Sequence, residues 1–349
     1  MKEKRKDTLN YLPDEVRLSA QRSSSLDVLK CFAALFVVGI HFGSIILPPL
    51  FRCAVPLFFI ITGYYYPMMR ESGKFWQHIK KLLRMALWAT ALYALSGAAI
   101  AAYKGEFSEW LATTFQFGNI VWFILTNTPL FGDHLWYFWA VIYCLLIFYY
   151  ADKWKLTKVL YIVSPFLFLA LCAYNFNTTT YYYSTFFFCM RSFLFFGIPC
   201  MMVGRLIREG KDKWFFFLSV KRHVWLTVAF FICMALLEMY VLKKSTDGSS
   251  RRDMYFFTLP LVVTIFYWAL RNPEVGRGSW LATIGRKYSA YIYIFHVFIH
   301  TFIGDAFIAD ASAPHWLDIF SRVAYMFILF GITLLFSVVF CKCVSALLH

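Results

Sequence analysis

The sequence contains too little charge for a water-soluble protein. Charged residues make up 15% of the 349 residues, whereas soluble domains average about 25%. Apolar residues reach 60% and aromatic residues 21%, including 40 phenylalanines. This composition excludes an ordinary soluble globular domain. Apolar runs of about twenty residues recur along residues 26–348, and that length crosses a bilayer core of about 30 Å.

Three further signals are missing. The nine cysteines lack the spacing of a metal site, so we interpret them as small buried apolar residues and expect no metal ion. The apolar runs are continuous and lack the alternation of an outer-membrane barrel. The first run contains Lys30 and no small-residue cleavage site, so we expect it to remain as a membrane helix.

The apolar runs predict an all-α fold, a polytopic membrane helix bundle of about ten transmembrane helices with both termini in the cytoplasm. Residues 120–130 are apolar but too short for a span, which predicts a re-entrant or interfacial piece. We expect residues 1–25 to form a basic cytoplasmic tail and residues 26–349 a single transmembrane domain. The ten predicted segments are residues 26–46, 51–69, 82–103, 134–151, 157–174, 186–207, 223–242, 254–270, 288–307 and 316–348.

The distribution of Lys and Arg sets the predicted orientation. About 25 of these cations fall in segments assigned to the inside and about seven in segments assigned to the outside, as the positive-inside rule requires. The net charge of +15 therefore reflects topology rather than nucleic-acid binding. One outside loop, residues 243–253, is discordantly basic. Either that loop binds something anionic or one predicted span is wrong.

The first predicted helix contains three ionisable residues, which are unfavourable in hydrocarbon and need a partner or a role. Asp27 and Lys30 are three residues apart and share one helix face near the cytoplasmic end. They form either an interfacial ion pair or part of a site. His41 follows Lys30 by about three turns, roughly 16 Å, on nearly the same face. A membrane histidine is often only hydrogen-bonded to a neighbouring helix, so periodicity alone leaves its role open.

Other polar residues lie in or beside the apolar runs. His134 opens the stretch HLWYF, where an aromatic belt at the interface is the simpler explanation. Snorkelling is the simpler explanation for Arg191 and Glu238. The remaining candidates occur in RCAVPLFFIITGYYYP and in YSAYIYIFH. The site candidates outside the first helix are Arg52, Thr62, His134, Arg191, Tyr291 and His296.

Taken together, these stretches resemble one protein family. A cation, ten residues and His41 occur in the first helix, followed by FRCAVPLFFIITGYYY, a basic IKKLLR, HLWYF, RSFLFFGIPCMMVGRLI and YSAYIYIFH. In this order the chain resembles the acyltransferase-3 family of bacterial membrane O-acyltransferases over nearly all of residues 22–348. It also resembles the membrane portion of membrane serine racemases linked to glycopeptide resistance, although nothing in the sequence resembles their soluble racemase domain.

The resemblance implies an activity and a location. An acetyl or other short acyl group would move from cytoplasmic acetyl-CoA to a hydroxyl of a cell-surface glycan or its precursor, in the bacterial inner membrane. The expected partners are a glycan or glycolipid acceptor and membrane lipid, not nucleic acid. The acceptor sugar, the acyl chain length and the oligomeric state stay open.

The resemblance also implies residue roles. His41 would be the general base that takes the proton of the acceptor hydroxyl, and whether it instead carries the acyl group covalently stays open. Lys30 stands where the family has Arg, so a bidentate contact to phosphate or carboxylate is in doubt. Thr62 stands where Ser is more usual and keeps the hydroxyl. The expected ligands for the phosphates of coenzyme A are Lys74, Lys80, Lys81 and Arg84.

Two other classes of protein are compatible with a helical membrane chain. A transporter or flippase of a lipid-linked saccharide would have an internal repeat with paired broken helices. We find no such sequence repeat between residues 26–174 and residues 186–348. The second alternative is a non-catalytic sensor or assembly partner. Acyl transfer accounts for more of the motifs than either alternative.

Overall fold

The computed structural model describes residues 23–42, 47–177, 189–210, 224–245, 252–304, 308 and 313–347. The described residues contain helices and turns and no strand, which confirms the all-α prediction for this part of the chain. A 3₁₀ turn spans Asp133–Leu135 and a π-helical segment spans Phe193–Gly197. The α-helices are α1 (Ser24–Phe42), α2 (Pro48–Phe51), α3 (Ala54–Glu71), α4 (Phe75–Tyr103), α5 (Phe107–Thr114), α6 (Phe117–Thr126), α7 (Trp136–Lys153), α8 (Thr157–Asn177), α9 (Ile198–Arg208), α10 (Val224–Ser245), α11 (Thr258–Arg271), α12 (Trp280–Lys287), α13 (Ser289–Ile303) and α14 (His315–Leu347).

Several of these helices have the length and composition of membrane spans. Among the described residues, α1, α4, α7, α8, α10 and α14 are long and apolar enough to cross a bilayer. Shorter apolar helices occur at α6, α11 and α13. Long apolar side chains are exposed along α4, α8, α10 and α14, as lipid contact requires. The count of ten spans and the cytoplasmic termini stay predictions.

The chain divides into two compact units. Unit 1 takes its described residues from Met1–Phe58, Glu209–Glu238 and Phe256–His349, and unit 2 from Phe59–Arg208 and Met239–Tyr255. Two of the four boundaries fall within α3 and α10, and the other two follow Arg208 and Tyr255. Each unit is built around its own set of helix contacts.

In unit 1, helix α1 contacts α2, α11, α12, α13 and α14. Ser23 accepts a hydrogen bond from the backbone N–H of Leu26 at 3.4 Å, which is an N-cap arrangement. The hydroxyl of Ser25 donates to the carbonyl oxygen of Ala269 at 2.6 Å, which ties the start of α1 to the last turn of α11. These bonds fix the position of the helix that carries Lys30 and His41.

Gly285 lets α12 approach α1 closely. A Cβ atom at this glycine would overlap the backbone oxygen of Asp27 and lie 2.8 Å from the backbone nitrogen of Cys31. The two helices therefore touch backbone to backbone, as small residues permit in membrane-helix packing. Only glycine fits there without separating the helices.

In unit 2, a reciprocal pair of glycines joins α3 to α9. A Cβ at Gly63 would overlap the carbonyl oxygen of Met201, and one at Gly204 would overlap that of Ile60. Helix α7 packs against α4, α8 and the π-helical segment. The close approach places the aromatic side chains of α3 and α7 in a common core.

Some predicted segments differ from the helices observed. The segment 186–207 is not one regular helix in its described part, because Arg191 lies in a turn and a π-helical segment precedes α9. Pro199 lacks a backbone N–H, which removes one rung of the α-helical hydrogen-bond ladder there. Helix α11 begins at Thr258 rather than near residue 254. In the turn before it, the backbone N–H groups of Phe256 and Phe257 donate to the carboxylate of Glu238 at 2.8 Å and 3.1 Å. Glu238 therefore holds the turn that precedes α11 instead of snorkelling.

Several predicted features lie partly or wholly outside the described residues. Residues 1–22 of the basic tail are outside them, as are Lys211, Lys213, Lys221 and Arg222. The same holds for residues 246–251 of the discordant loop. Within that loop, Arg252 is buried, with 4% of its surface exposed.

All nine cysteines are free thiols. The prediction of burial is right for Cys31, Cys53, Cys144 and Cys200, and wrong for Cys233 and Cys343, which are exposed on apolar helices. A thiol is small and weakly polar, so it is tolerated on a lipid-facing surface as well as in a core. No cluster of potential metal ligands occurs among the described residues.

Candidate functional site

Helix α1 of unit 1 carries the three ionisable residues singled out from the sequence. Lys30 Nζ lies 3.2 Å from Asp27 Oδ1, and the side chains are 25% and 6% exposed. The carboxylate is thus the more buried partner of this ion pair. His41 lies on the same helix, in its last turn, and its side chain is exposed.

A second histidine from α13 lies against His41. The ring centroids of His41 and His296 are 5.1 Å apart, with an interplanar angle of 52°. His296 is fully buried. The structure therefore brings together two histidines that are separated by most of the chain in sequence.

The backbone of α13 fixes the tautomer of His296. Its Nδ1 lies 2.8 Å from the carbonyl oxygen of Tyr293 and 3.2 Å from that of Ile292. Because carbonyl oxygens only accept hydrogen bonds, Nδ1 carries the proton and donates it. In the neutral ring, Nε2 is then the acceptor nitrogen.

One turn further along α13, His300 is oriented by a tyrosine. His300 Nδ1 lies 2.7 Å from the hydroxyl oxygen of Tyr325, and that hydroxyl donates to the carbonyl oxygen of Gly304 at 2.8 Å. The single hydroxyl proton is used on Gly304, so the hydroxyl oxygen accepts from His300. His41, His296 and His300 thus all belong to unit 1, and fixed acceptors set the tautomers of His296 and His300.

Two further candidates, Tyr291 and Arg52, also belong to unit 1. Tyr291, also on α13, is half-buried and its ring lies 5.8 Å from that of Phe340. Arg52 is half-buried and ends the short helix α2, where its backbone N–H bonds to the carbonyl of Pro48 at 3.0 Å. Both stay predicted site residues.

His134 belongs to unit 2, in a separate polar cluster. Its ring is 5% exposed and lies 4.8 Å from the ring of Tyr93 in a T-shaped contact. Gly132, with a positive φ of 66°, forms the turn just before the buried His134. The guanidinium of Arg191 lies 5.5 Å from the centroid of the Trp136 ring and donates to the carbonyl oxygen of Asp133 at 3.4 Å. Burial of this histidine does not fit a residue of an interfacial belt.

Thr62 and the four predicted phosphate ligands also belong to unit 2. The hydroxyl of Thr62 is hydrogen-bonded to Tyr137, whose ring packs 4.9 Å from that of Phe59. The hydroxyl kept at this position therefore has a structural partner. The predicted phosphate ligands are exposed at the beginning of α4, at Lys74, Lys80, Lys81 and Arg84.

Sequence reasoning missed a buried ionic cluster around Asp152. Its carboxylate accepts from Tyr66 at 2.8 Å, Arg70 at 2.7 Å, Arg205 at 2.8 Å and Thr157 at 2.5 Å. Arg205 was counted only as a cation of the inner face, although it is buried at 7% exposed. Its place inside an apolar helix, followed three residues later by Arg208, was the signal available.

Asn127 was also missed as a structural residue. It adopts a left-handed conformation at the end of α6, with φ of 57°. Its side-chain oxygen accepts from the backbone N–H of Phe193 at 2.7 Å, and its side-chain nitrogen donates to the carbonyl oxygen of Trp136 at 3.3 Å. One buried amide therefore joins the start of α7 to the π-helical segment.

Comparison with known proteins identifies the class. The acyltransferase-3 family model, described as an acyltransferase domain, matches residues 23–342. The chain belongs to this family, and its long apolar helices are those of a multi-pass membrane protein. The match covers residues of both units.

Among individual proteins, the chain is similar to a serine/alanine racemase of Enterococcus gallinarum. The two are 32% identical over 141 residues, which is 35% of this chain and 18% of the racemase. The chain thus covers less than a fifth of that relative's length. No solved structure matches the chain.

Proposed function

We propose that this protein transfers an acetyl or other short acyl group from cytoplasmic acyl-CoA to a hydroxyl of a cell-surface glycan or its precursor. The observation that carries the proposal is the pairing of His41 with His296 within a family of membrane acyltransferases. A general base is the group that hydroxyl attack on a thioester requires near neutral pH. The proposed location is the inner membrane of a bacterium.

The proposed chemistry is a single acyl transfer. The acceptor oxygen attacks the thioester carbonyl carbon, and the new C–O ester bond replaces the C–S bond. His41 takes the hydroxyl proton and returns it to the departing thiolate of coenzyme A. His296 holds the imidazole of His41 by ring packing.

The donor is proposed to bind through charge. Lys74, Lys80, Lys81 and Arg84 are exposed cations at the start of α4, and the phosphates of coenzyme A are anions that such cations attract. The same charges also satisfy the positive-inside rule, so their role needs its own test. In that test, single Ala variants raise the donor KM modestly, because the neighbouring cations share the field.

The deciding experiment is His41→Ala in lipid nanodiscs, with acetyl-CoA consumption and glycan acylation followed together. Loss of the base is expected to lower turnover by roughly 10² to 10⁴. The matched control is His315→Ala, an exposed histidine at the start of α14 in the same unit, which should retain full turnover. Near-normal turnover of His41→Ala would make that imidazole structural and move the chemistry to His134 or His296.

A further inference from the structure

An open surface groove of about 450 Å³, called the cavity below, lies where α4 meets α5 in unit 2. This volume is within the range of about 300 to 1,000 Å³ that small-molecule sites occupy. Its polar lining includes Lys104, Glu106, Glu109 and Thr113, and Trp110 supplies an aromatic wall. The cavity shares no residue with the clusters of His41, His134 or Asp152.

The local sequence builds this cavity in a simple way. Helix α4 ends at Tyr103, and Gly105, with φ of 75°, reverses the chain. Positions 106, 109, 110 and 113 follow the spacing of one helix face, so their side chains share one side of α5. On α4, a Cβ at Gly97 would lie 3.3 Å from the indole of Trp110. The missing side chain leaves room for that ring against the α4 backbone.

The charged groups of the cavity are available for a ligand. Lys104, Glu106 and Glu109 are exposed, and within the part of the chain that the structure describes no ion pair engages any of the three. Carboxylates accept hydrogen bonds from hydroxyl groups, and an ammonium donates to ether and hydroxyl oxygens. The formal charge of the set is negative by one, which disfavours an acidic ligand.

We propose that this cavity binds a neutral pyranose ring of the acceptor glycan. Glu106 and Glu109 would accept from neighbouring ring hydroxyls, Lys104 would donate to a ring oxygen, and Trp110 would pack against the apolar C–H surface of the sugar. The residues after Tyr103 are assigned to the outside by the charge pattern, where a cell-surface glycan is found. That the bound sugar belongs to the acceptor rests on the proposed function, whereas sugar binding by the cavity does not.

The test is direct binding of methyl β-glucopyranoside to the purified protein in nanodiscs, measured by saturation-transfer NMR. Trp110→Ala and the double variant Glu106→Gln/Glu109→Gln should each weaken binding by about ten-fold or more. The matched controls are Trp154→Ala and Glu71→Gln, both exposed residues of unit 2 outside the cavity, which should bind as the unaltered protein does. Trp110→Phe keeps a ring and should retain part of the affinity.

Each outcome decides the proposal. Unchanged binding by the cavity variants, or equal loss in the controls, overturns the site. Equal affinity for methyl β-glucuronide overturns its preference for a neutral ring. Sugar binding that depends on the cavity, without any acyl transfer, leaves the site standing and refutes the proposed function instead. If acyl transfer occurs and its KM for the acceptor is the same in the cavity variants as in the unaltered protein, the sugar site is refuted and the proposed function stands.

Discussion

Lys30 is paired with a carboxylate that is more buried than the lysine itself. The side chain of Asp27 is 6% exposed and that of Lys30 is 25% exposed, at 3.2 Å. Removing the ammonium group of Lys30 therefore leaves the buried carboxylate of Asp27 without its partner, and it also removes the positive charge from the candidate site. An arginine at this position retains the positive charge and also restores the residue usual in the family.

Lys30→Ala is expected to lower the free energy of unfolding by about 1 kcal/mol, since a partly exposed pair is screened by solvent, and to weaken donor use. Lys30→Arg should keep both properties. The double variant Asp27→Asn/Lys30→Ala should regain stability without regaining activity. Thermal melting in nanodiscs and the donor KM measure the two effects. Full recovery of activity in the double variant would reduce Lys30 to a structural partner of Asp27.

Asp152 is the most heavily bonded carboxylate among the described residues of unit 2. It faces Arg205 at 2.8 Å, with both side chains at or below 8% exposed. A buried ion pair that loses one partner leaves an uncompensated charge. The stability of unit 2 should therefore depend on this carboxylate more than on any exposed ion pair.

Asp152→Asn is expected to lower the free energy of unfolding by about 3 to 5 kcal/mol. Asp318→Asn is the comparison, because the Asp318–Arg322 pair is 22% and 33% exposed and should contribute only about 0.5 kcal/mol. Thermal unfolding of the purified proteins gives both values. Similar losses in the two variants would show that the Asp152 cluster is not energetically special.

At the scale of helices, the sequence predicts the long elements well and the short ones poorly. Helices α1, α4, α7, α8, α10 and α14 coincide with predicted apolar segments, because a run of about twenty apolar residues carries a strong signal. Helix α12 was missed because it has only eight residues, Trp280–Lys287. Such a helix is specified by packing on α1 rather than by its own composition.

The candidate site shows the same limit. His41 and His296 were both named from motifs, but only the fold shows their rings at 5.1 Å. The charge pattern includes Arg205 only as one of the Lys and Arg residues assigned to the inside, since charge counting does not distinguish a buried cation from an exposed one. Asp152 was not predicted at all. Tertiary packing decides which ionisable residues come into contact. Residues that meet in this way have no fixed spacing along the sequence, so a single sequence does not reveal the contact.

Gly285→Ala tests the backbone contact between α12 and α1. The added Cβ would overlap the backbone oxygen of Asp27, so the helices must separate at a cost of about 1 to 3 kcal/mol. Turnover should fall as well, because α1 carries Lys30 and His41. Gly331→Ala on α14 is the matched control, since nothing lies within 4 Å of that added atom, and it should be neutral or slightly stabilising. Equal melting temperatures for the two variants would contradict the close packing.

For the whole molecule, the orientation in the membrane decides which groups can meet a cytoplasmic donor. Helix α4 has 29 residues, or about 44 Å of rise, which is long enough for its two ends to lie on opposite sides of a bilayer. The basic start of α4 is predicted to face the cytoplasm, and the turn at Gly105 is predicted to face outside. The proposed donor and sugar sites require that arrangement.

Single engineered cysteines on either side of α4 test the orientation. Ser108→Cys, exposed on α5, should react with a membrane-impermeant maleimide on intact cells, whereas Ser72→Cys, exposed before α4, should react only after permeabilisation. The unaltered protein gives the background of the exposed native thiols Cys233 and Cys343. We expect this labelling pattern because Lys and Arg are in excess on the side of the membrane assigned to Ser72. Labelling of Ser72→Cys from outside would reverse the topology, and it would remove Lys74, Lys80, Lys81 and Arg84 from contact with a cytoplasmic acyl donor.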